Sequence, residues 1–186
     1  MVTIRRFEEA ATQLTRGDSP AILGSIHPCT GQEAIPVGAL SALQNDDRIV
    51  ATYRGHGWAL ESGITPFELM AELCHRRDGV DGGRAGSLMV TAPHRRFMGE
   101  NSIVGAGGPI ACGIALAAKI TGSGRVVAVS FGDGAVSQGA LHEAFVMASL
   151  NKLPVIFVCE NNGWAEMTPS TLKNVPQRAA SSACVA

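Results

Sequence analysis

Two short apolar runs, Val126-Val127-Ala128-Val129-Ser130-Phe131 and Val155-Ile156-Phe157-Val158-Cys159, flank a segment with helical spacing at Leu141, Ala144, Phe145 and Ala148. This unit constrains the fold more than any other part of the chain. Runs rich in β-branched residues, without polar alternation, belong to strands buried on both faces. Joined through a helix, they form a right-handed strand-helix-strand crossover in a parallel sheet. The predicted class is therefore α/β, a three-layer α/β/α arrangement around a parallel sheet. Ligands in such sheets collect beyond the carboxyl ends of the strands. Both ends carry polar clusters here: Gly132-Asp133-Gly134 after the first run and Glu160-Asn161-Asn162-Gly163 after the second.

Upstream, Ile4, Phe7, Ala11 and Leu14 recur at helical spacing and Gly17 follows as a stop, which predicts an amphipathic helix. Thr30-x-x-Glu33 and Thr65-Pro66-x-Glu68 each read as a capping box ahead of an apolar run, predicting two more helices. Between Arg76 and Ser102 the periodicity fails and glycine alternates with arginine, the mark of a long functional loop. Gly107 to Ile120, rich in Ala, Gly and Ile, reads as a buried helix. The expectation is a single domain over residues 1–186.

Charge narrows the function classes. Fifteen Lys+Arg against 16 Asp+Glu give a net charge of −1, so no global positive field exists to hold nucleic acid or an anionic membrane. No apolar run reaches the length of a membrane helix, and the first residues carry acids where a signal peptide is apolar, so a cytoplasmic protein is expected. The 5 cysteines lack a C-x-x-C pair and read as free thiols.

If the two strands are adjacent and parallel, Asp133 and Asn162 lie in neighbouring loops. A carboxylate, an amide oxygen and a backbone carbonyl form an oxygen-only set suited to Mg2+ or Ca2+. Gly132 and Gly134 would let backbone N–H groups approach a phosphate, and the helix beyond Ser137, read as its cap, would aim its N-terminus at the same point. Metal and diphosphate would share one site. Gly-Asp-Gly after one apolar strand and Asn-Asn after the next is the pattern of thiamine diphosphate sites.

Residues from about 5 to 178 resemble the α subunit of the E1 component of 2-oxoacid dehydrogenase complexes, the family that handles pyruvate, branched-chain 2-oxo acids and acetoin. The resemblance is carried by Gly31-Gln32-Glu33-Ala34, Tyr53-Arg54-Gly55-His56-Gly57, Ile103-Val104-Gly105-Ala106, Gly132-Asp133-Gly134-Ala135, Leu153-Pro154-Val155 and Glu160-Asn161-Asn162. It implies a thiamine-diphosphate-binding fold and oxidative decarboxylation of a 2-oxo acid, with acyl transfer to a lipoyl carrier. Thiamine diphosphate and Mg2+ are the implied cofactors. Tyr53 and Arg54 would bind the diphosphate, Arg54 through charge-assisted hydrogen bonds. Gly132, Gly134 and Ala135 would line its cradle, Val104 would support the central bend of the cofactor, and Ser102 would lie by the pyrimidine, where the family commonly has Gly. Asp133, Asn162 and the Trp164 carbonyl would hold the metal. Gln32 and His56 resemble residues of the reaction centre, whereas His27, His75, His94 and His142 read as structural or exposed.

The implied partners are an E1 β subunit in an α2β2 heterotetramer, a lipoyl-bearing E2 component and the 2-oxo acid. Ala85-Gly86-Ser87-Leu88-Met89 lacks a histidine expected in that block. The family continues beyond the matched stretch, so the chain is expected to be C-terminally truncated after about residue 178 and inactive as a decarboxylase in isolation. The alternative reading is a non-catalytic remnant that keeps the cofactor loops. Dinucleotide binding fits poorly, because Gly139 is out of step for G-x-G-x-x-G and Asp133 would repel a bare pyrophosphate. A serine hydrolase fits no better, since Ala135-Val136-Ser137-Gln138-Gly139 lacks the first glycine of its elbow.

Overall fold

The computed structural model of the chain describes residues 1–169. They fall into two compact units, Met1–Ser102 and a second that begins at Ile103. The first unit opens with α1 (Val2–Leu14), which buries Ile4, Phe7, Glu8 and Ala11 on one stripe. A carboxylate in that stripe needs a partner, and His56 supplies it (below). A loop leads to α2 (Ala34–Ser41), then β1 (Arg48–Thr52), α3 (His56–Glu61), α4 (Pro66–Leu73) and, after a long loop and a 3-10 turn at Pro93–Arg95, β2 (Phe97–Asn101). β1 and β2 pair in parallel, with Ala51 opposite Glu100 and Thr52 opposite Asn101.

The two predicted capping boxes fare differently. At α4, Thr65 accepts the Glu68 N–H at 3.2 Å and the Glu68 carboxylate accepts the Thr65 N–H at 2.9 Å, a complete box with Pro66 in the first turn. Thr65→Ala is expected to cost about 1 kcal/mol, read as a lowered midpoint in thermal unfolding. The box at Thr30 does not form: α2 begins one residue after Glu33 without a side-chain cap, and the Glu33 carboxylate is drawn instead to Arg5 at 2.5 Å and the Gly31 N–H at 3.1 Å. A guanidinium outcompetes a backbone cap for that carboxylate. The 76–102 stretch is likewise not all loop, because Phe-Met-Gly-Glu-Asn forms β2. Its periodicity is poor, and pairing with β1 supplies the order that its own residues do not.

The second unit runs α5 (Gly107–Thr121), β3 (Val127–Gly132), a 3-10 turn at Asp133–Ser137, α6 (Gly139–Asn151), β4 (Val155–Glu160) and the two-residue strands β5 (Trp164–Ala165) and β6 (Thr168–Pro169). β3 and β4 are parallel, as the crossover reading requires, in continuous register from Val127 opposite Val155 to Gly132 opposite Glu160. Phe131, Phe145 and Phe157 meet at centroid distances between 4.7 and 6.4 Å, and with Leu141 they pin α6 to the strands. α5 packs on α6 through Gly108, where an added Cβ would sit 2.9 Å from Leu141 Cδ1 and 3.0 Å from Ala144 Cβ. α5 is therefore buried on one stripe only, through Gly108, Ala111, Cys112 and Ala115, while Ile110 and Ile120 face outward. Ser137 is not the α6 cap: the 3-10 turn extends through it, and Gln138 takes the N-cap position without a side-chain bond. The fold is α/β with parallel strands. Among the described residues the cysteines form no disulfide, and no helix is long and apolar enough to cross a membrane.

Candidate active site

In the second unit the β3–β4 register decides the geometry. Gly132 pairs with Glu160, so Asp133 and the Asn161-Asn162 pair leave the sheet from the same edge in adjacent loops. The Asp133–Ser137 turn holds Asp133 and Gly134 half-buried at the strand end and buries Ala135 in the core below them. Asn161 Oδ1 accepts the Gly163 N–H at 3.1 Å and Asn162 Oδ1 accepts the Trp164 N–H at 2.9 Å. These two Asx turns curl the chain back, and β5, which contains Trp164, packs against the Asp133–Ser137 turn. Burial, with Asp133 and Glu160 nearby, pushes the Cys159 thiol up to about 11, so it is a poor nucleophile packed on the Phe131 cluster. Asp133, Asn162 and the Trp164 carbonyl therefore stand in adjacent loops at one sheet edge, and each offers an oxygen of the kind a hard divalent cation takes. Val104 stands exposed at the start of this unit.

In the first unit, Tyr53 and Arg54 form the turn that leaves β1. The Arg54 N–H donates to Thr52 Oγ1 at 3.2 Å and Arg54 Nη1 to the Pro28 carbonyl at 2.6 Å, which ties the turn to the loop before α2. That loop contains His27 and Gln32. The His27 ring meets Tyr53 edge-on at 4.7 Å, and its Nδ1 is buried without a hydrogen-bond partner among the described residues, as is Gln32 Oε1. Burial and the neighbouring Arg54 and His56 hold His27 below the usual imidazole range, so it is neutral. Ser102, at the end of the unit, is exposed and its hydroxyl lies 3.6 Å from Met89 Sδ.

His56 stands elsewhere. It is 0% exposed, with Nδ1 3.0 Å from Glu8 Oε2 and Nε2 2.8 Å from Ser87 Oγ. Burial alone would lower its pKa, but the bond and charge of Glu8 outweigh that and raise it. The ring is thus held inside the core with both nitrogens engaged, one by a carboxylate and one by a hydroxyl. His27 is the histidine on the Tyr53-Arg54 face, and sequence reasoning set it aside. The signal for it was its position four residues ahead of the Gly31-Gln32-Glu33-Ala34 block.

Residues 1–185 match the family described as Dehydrogenase E1 component. The chain belongs to this family. It is 44% identical over 169 residues to the α subunit of an acetoin:2,6-dichlorophenolindophenol oxidoreductase of Cupriavidus necator, covering 90% of this chain and 50% of that one. It is 46% identical over 166 residues to the pyruvate dehydrogenase E1 component subunit α of Zymomonas mobilis subsp. mobilis, covering 89% and 46%. To the testis-specific mitochondrial form of that subunit from Homo sapiens it is 43% identical over 162 residues, covering 87% and 41%. This E1-family chain thus spans about half the length of the curated relatives it matches. Among solved structures, a chain described as a thiamin diphosphate-dependent enzyme from Mycobacterium smegmatis superposes with a TM-score of 0.53 at 20% identity, over 82% of this chain and 25% of that one, and shares its fold.

Proposed function

We propose that this chain supplies the α-subunit cofactor loops of an E1-type 2-oxoacid dehydrogenase, which decarboxylates a 2-oxo acid oxidatively and passes the acyl group to a lipoyl carrier. The observation that supports this is the β3–β4 register, in which Gly132 pairs with Glu160 so that the loops carrying Asp133 and Asn162 leave the same sheet edge, in a chain matched to the E1 family over 1–185. Thiamine diphosphate, when bound, supplies the nucleophile and the electron sink. Asp133, Asn162 and the Trp164 carbonyl would hold Mg2+, and Gly132, Gly134 and Ala135 would shape the backbone of the diphosphate cradle. Arg54 and Tyr53 would supply positive charge and a hydrogen bond to the diphosphate, and Val104 and Ser102 would support the cofactor. His27, neutral and with an open Nδ1, and Gln32, with an open carbonyl oxygen, are the groups suited to exchange a hydrogen bond with a reacting carbonyl. His56 acts at one remove, anchoring α3 and the turn ahead of it. An E1 β subunit in an α2β2 assembly and a lipoyl-bearing E2 component complete the reaction, in the cytoplasm.

Thermal unfolding with thiamine diphosphate tests this reading. At about a hundred times the dissociation constant the cofactor should stabilise the chain by about 2.7 kcal/mol in the presence of Mg2+. Asp133→Ala should abolish the shift, since the proposed metal site then loses its carboxylate. An equal shift in a chelator, or in the Asp133→Ala variant, would remove the metal from the site.

A further inference from the structure

Gly55 follows Arg54 with φ of −92°, a backbone any residue adopts, so conformation does not explain a glycine there. Space does. A Cβ at Gly55 would lie 2.4 Å from Glu100 Oε1, 2.7 Å from Glu100 Cγ and 2.8 Å from the Thr52 carbonyl oxygen. Glu100 sits on β2 opposite Ala51, one step before β1 gives way to the Tyr53-Arg54 turn, and its carboxyl occupies the volume that a side chain at 55 would need. That carboxyl is 7% exposed; Oε2 accepts the Val90 N–H at 3.2 Å, and Oε1 has no hydrogen-bond partner among the described residues. A charge on such an oxygen is costly. Burial, joined by Glu8 and Asp81 and opposed by His56 and the Val90 N–H, pushes the Glu100 pKa up to about 8, so the acid is uncharged at neutral pH. The titratable groups facing it are Glu8 of α1, His56 of α3 and Asp81 of the loop after α4. Arg54 does not neutralise it, because its guanidinium is turned to the Pro28 carbonyl. No role described above uses Glu100.

We propose that Glu100 is a positioning residue for the Tyr53-Arg54 turn: uncharged, it packs on the bare Gly55 backbone and holds the turn, and when it ionises it draws water in and releases the turn. Anion binding at Arg54 thereby becomes sensitive to alkaline pH. The coupling of Glu100 to the turn stands on the geometry alone; its effect on anion binding rests on the diphosphate role proposed for Tyr53 and Arg54.

Two measurements on the full 186-residue chain separate these halves. The first, without ligand, is hydrogen exchange of the peptide containing residues 53–57 at pH 7 and pH 9, corrected for the intrinsic rate. Protection should fall at pH 9 in the wild type and stay level in Glu100→Gln; a level wild type, or an equal fall in the variant, overturns the coupling. Should Glu100→Gln not fold, the pair Gly55→Ala and Gly55→Ala/Glu100→Gly decides it. The single variant should melt lower and the double should recover, whereas additive losses refute the packing.

The second measurement is thiamine diphosphate binding with Mg2+ at both pH values. Wild-type affinity should fall about tenfold more than that of Glu100→Gln, the loss expected when one proton must stay bound. Parallel pH profiles overturn the anion half. Absence of binding by the wild type at both pH values overturns that half together with the proposed function, while the exchange result stands separately.

Discussion

Glu8→Ala is expected to lower the unfolding free energy by about 3–5 kcal/mol, the usual cost of removing one partner from a buried ion pair. Both side chains of the Glu8–His56 pair are 0% exposed, so the remaining imidazolium has no water to turn to. The Cys29 N–H also loses its acceptor, Glu8 Oε1 at 2.9 Å. A urea titration should show the midpoint drop at constant slope. An unchanged midpoint would mean that the pair is neutral in the folded chain. The same pair sets a pH window. Burial would raise the Glu8 pKa, but the bonds from His56 and Cys29 hold it below the usual carboxylate range, so its contribution is present above that range and is lost as pH falls through the lowered value. His56 is raised, so its contribution is complete below the usual imidazole pKa and is lost as pH rises through the folded value. The pair stabilises most between these limits, and Glu8→Ala should flatten that part of the profile.

The strand-helix-strand unit was legible because its information is local: β-branched runs, one helix and two polar strand ends define β3, α6 and β4, and with them the shared edge from which the Asp133 and Asn162 loops leave. Thr65 and Glu68 were legible for the same reason, since a capping box is written within four positions. β1 and β2 were not, because Arg-Ile-Val-Ala-Thr and Phe-Met-Gly-Glu-Asn are short and become strands through each other. Nor were the buried acids. Glu8 was a polar position in an amphipathic helix, and only the fold reveals that its partner stands at position 56. Glu33 looked like a cap because the competing guanidinium of Arg5 is distant in sequence. Spacing reports neighbours along the chain, whereas the roles of His27, His56 and Glu100 are set by neighbours across it.

Glu72 offers the second large effect, and it concerns the loop that follows α4. Its carboxylate is fully buried and accepts four backbone N–H groups, Asp81 at 2.8 Å and Gly83 at 2.9 Å on Oε2, Ala85 at 2.7 Å and Gly86 at 3.3 Å on Oε1. Burial would raise its pKa, but these donors outweigh that and lower it. The carboxylate thus does for an irregular, glycine-rich segment what a ladder does for a strand. Glu72→Ala strands the four donors, and at about 1–3 kcal/mol for each that stays buried the loss should reach at least about 3 kcal/mol. Glu72→Gln is not a conservative change here, because its NH2 would face two N–H donors and only the carbonyl oxygen could accept. The segment also leads into Ser87, which holds His56, and Val90, which holds Glu100, so loosening it removes support from both. Trypsin can read this directly at Arg84, inside the caged segment: cleavage there should accelerate in both variants under native conditions, with the urea midpoint lowered in parallel. Slow cleavage and an unshifted midpoint in Glu72→Ala would show that water replaces the carboxylate at no cost. As a lowered carboxylate, Glu72 contributes fully above the ordinary range, so acid should do gradually what the substitution does at once, opening the segment as pH falls through its folded value.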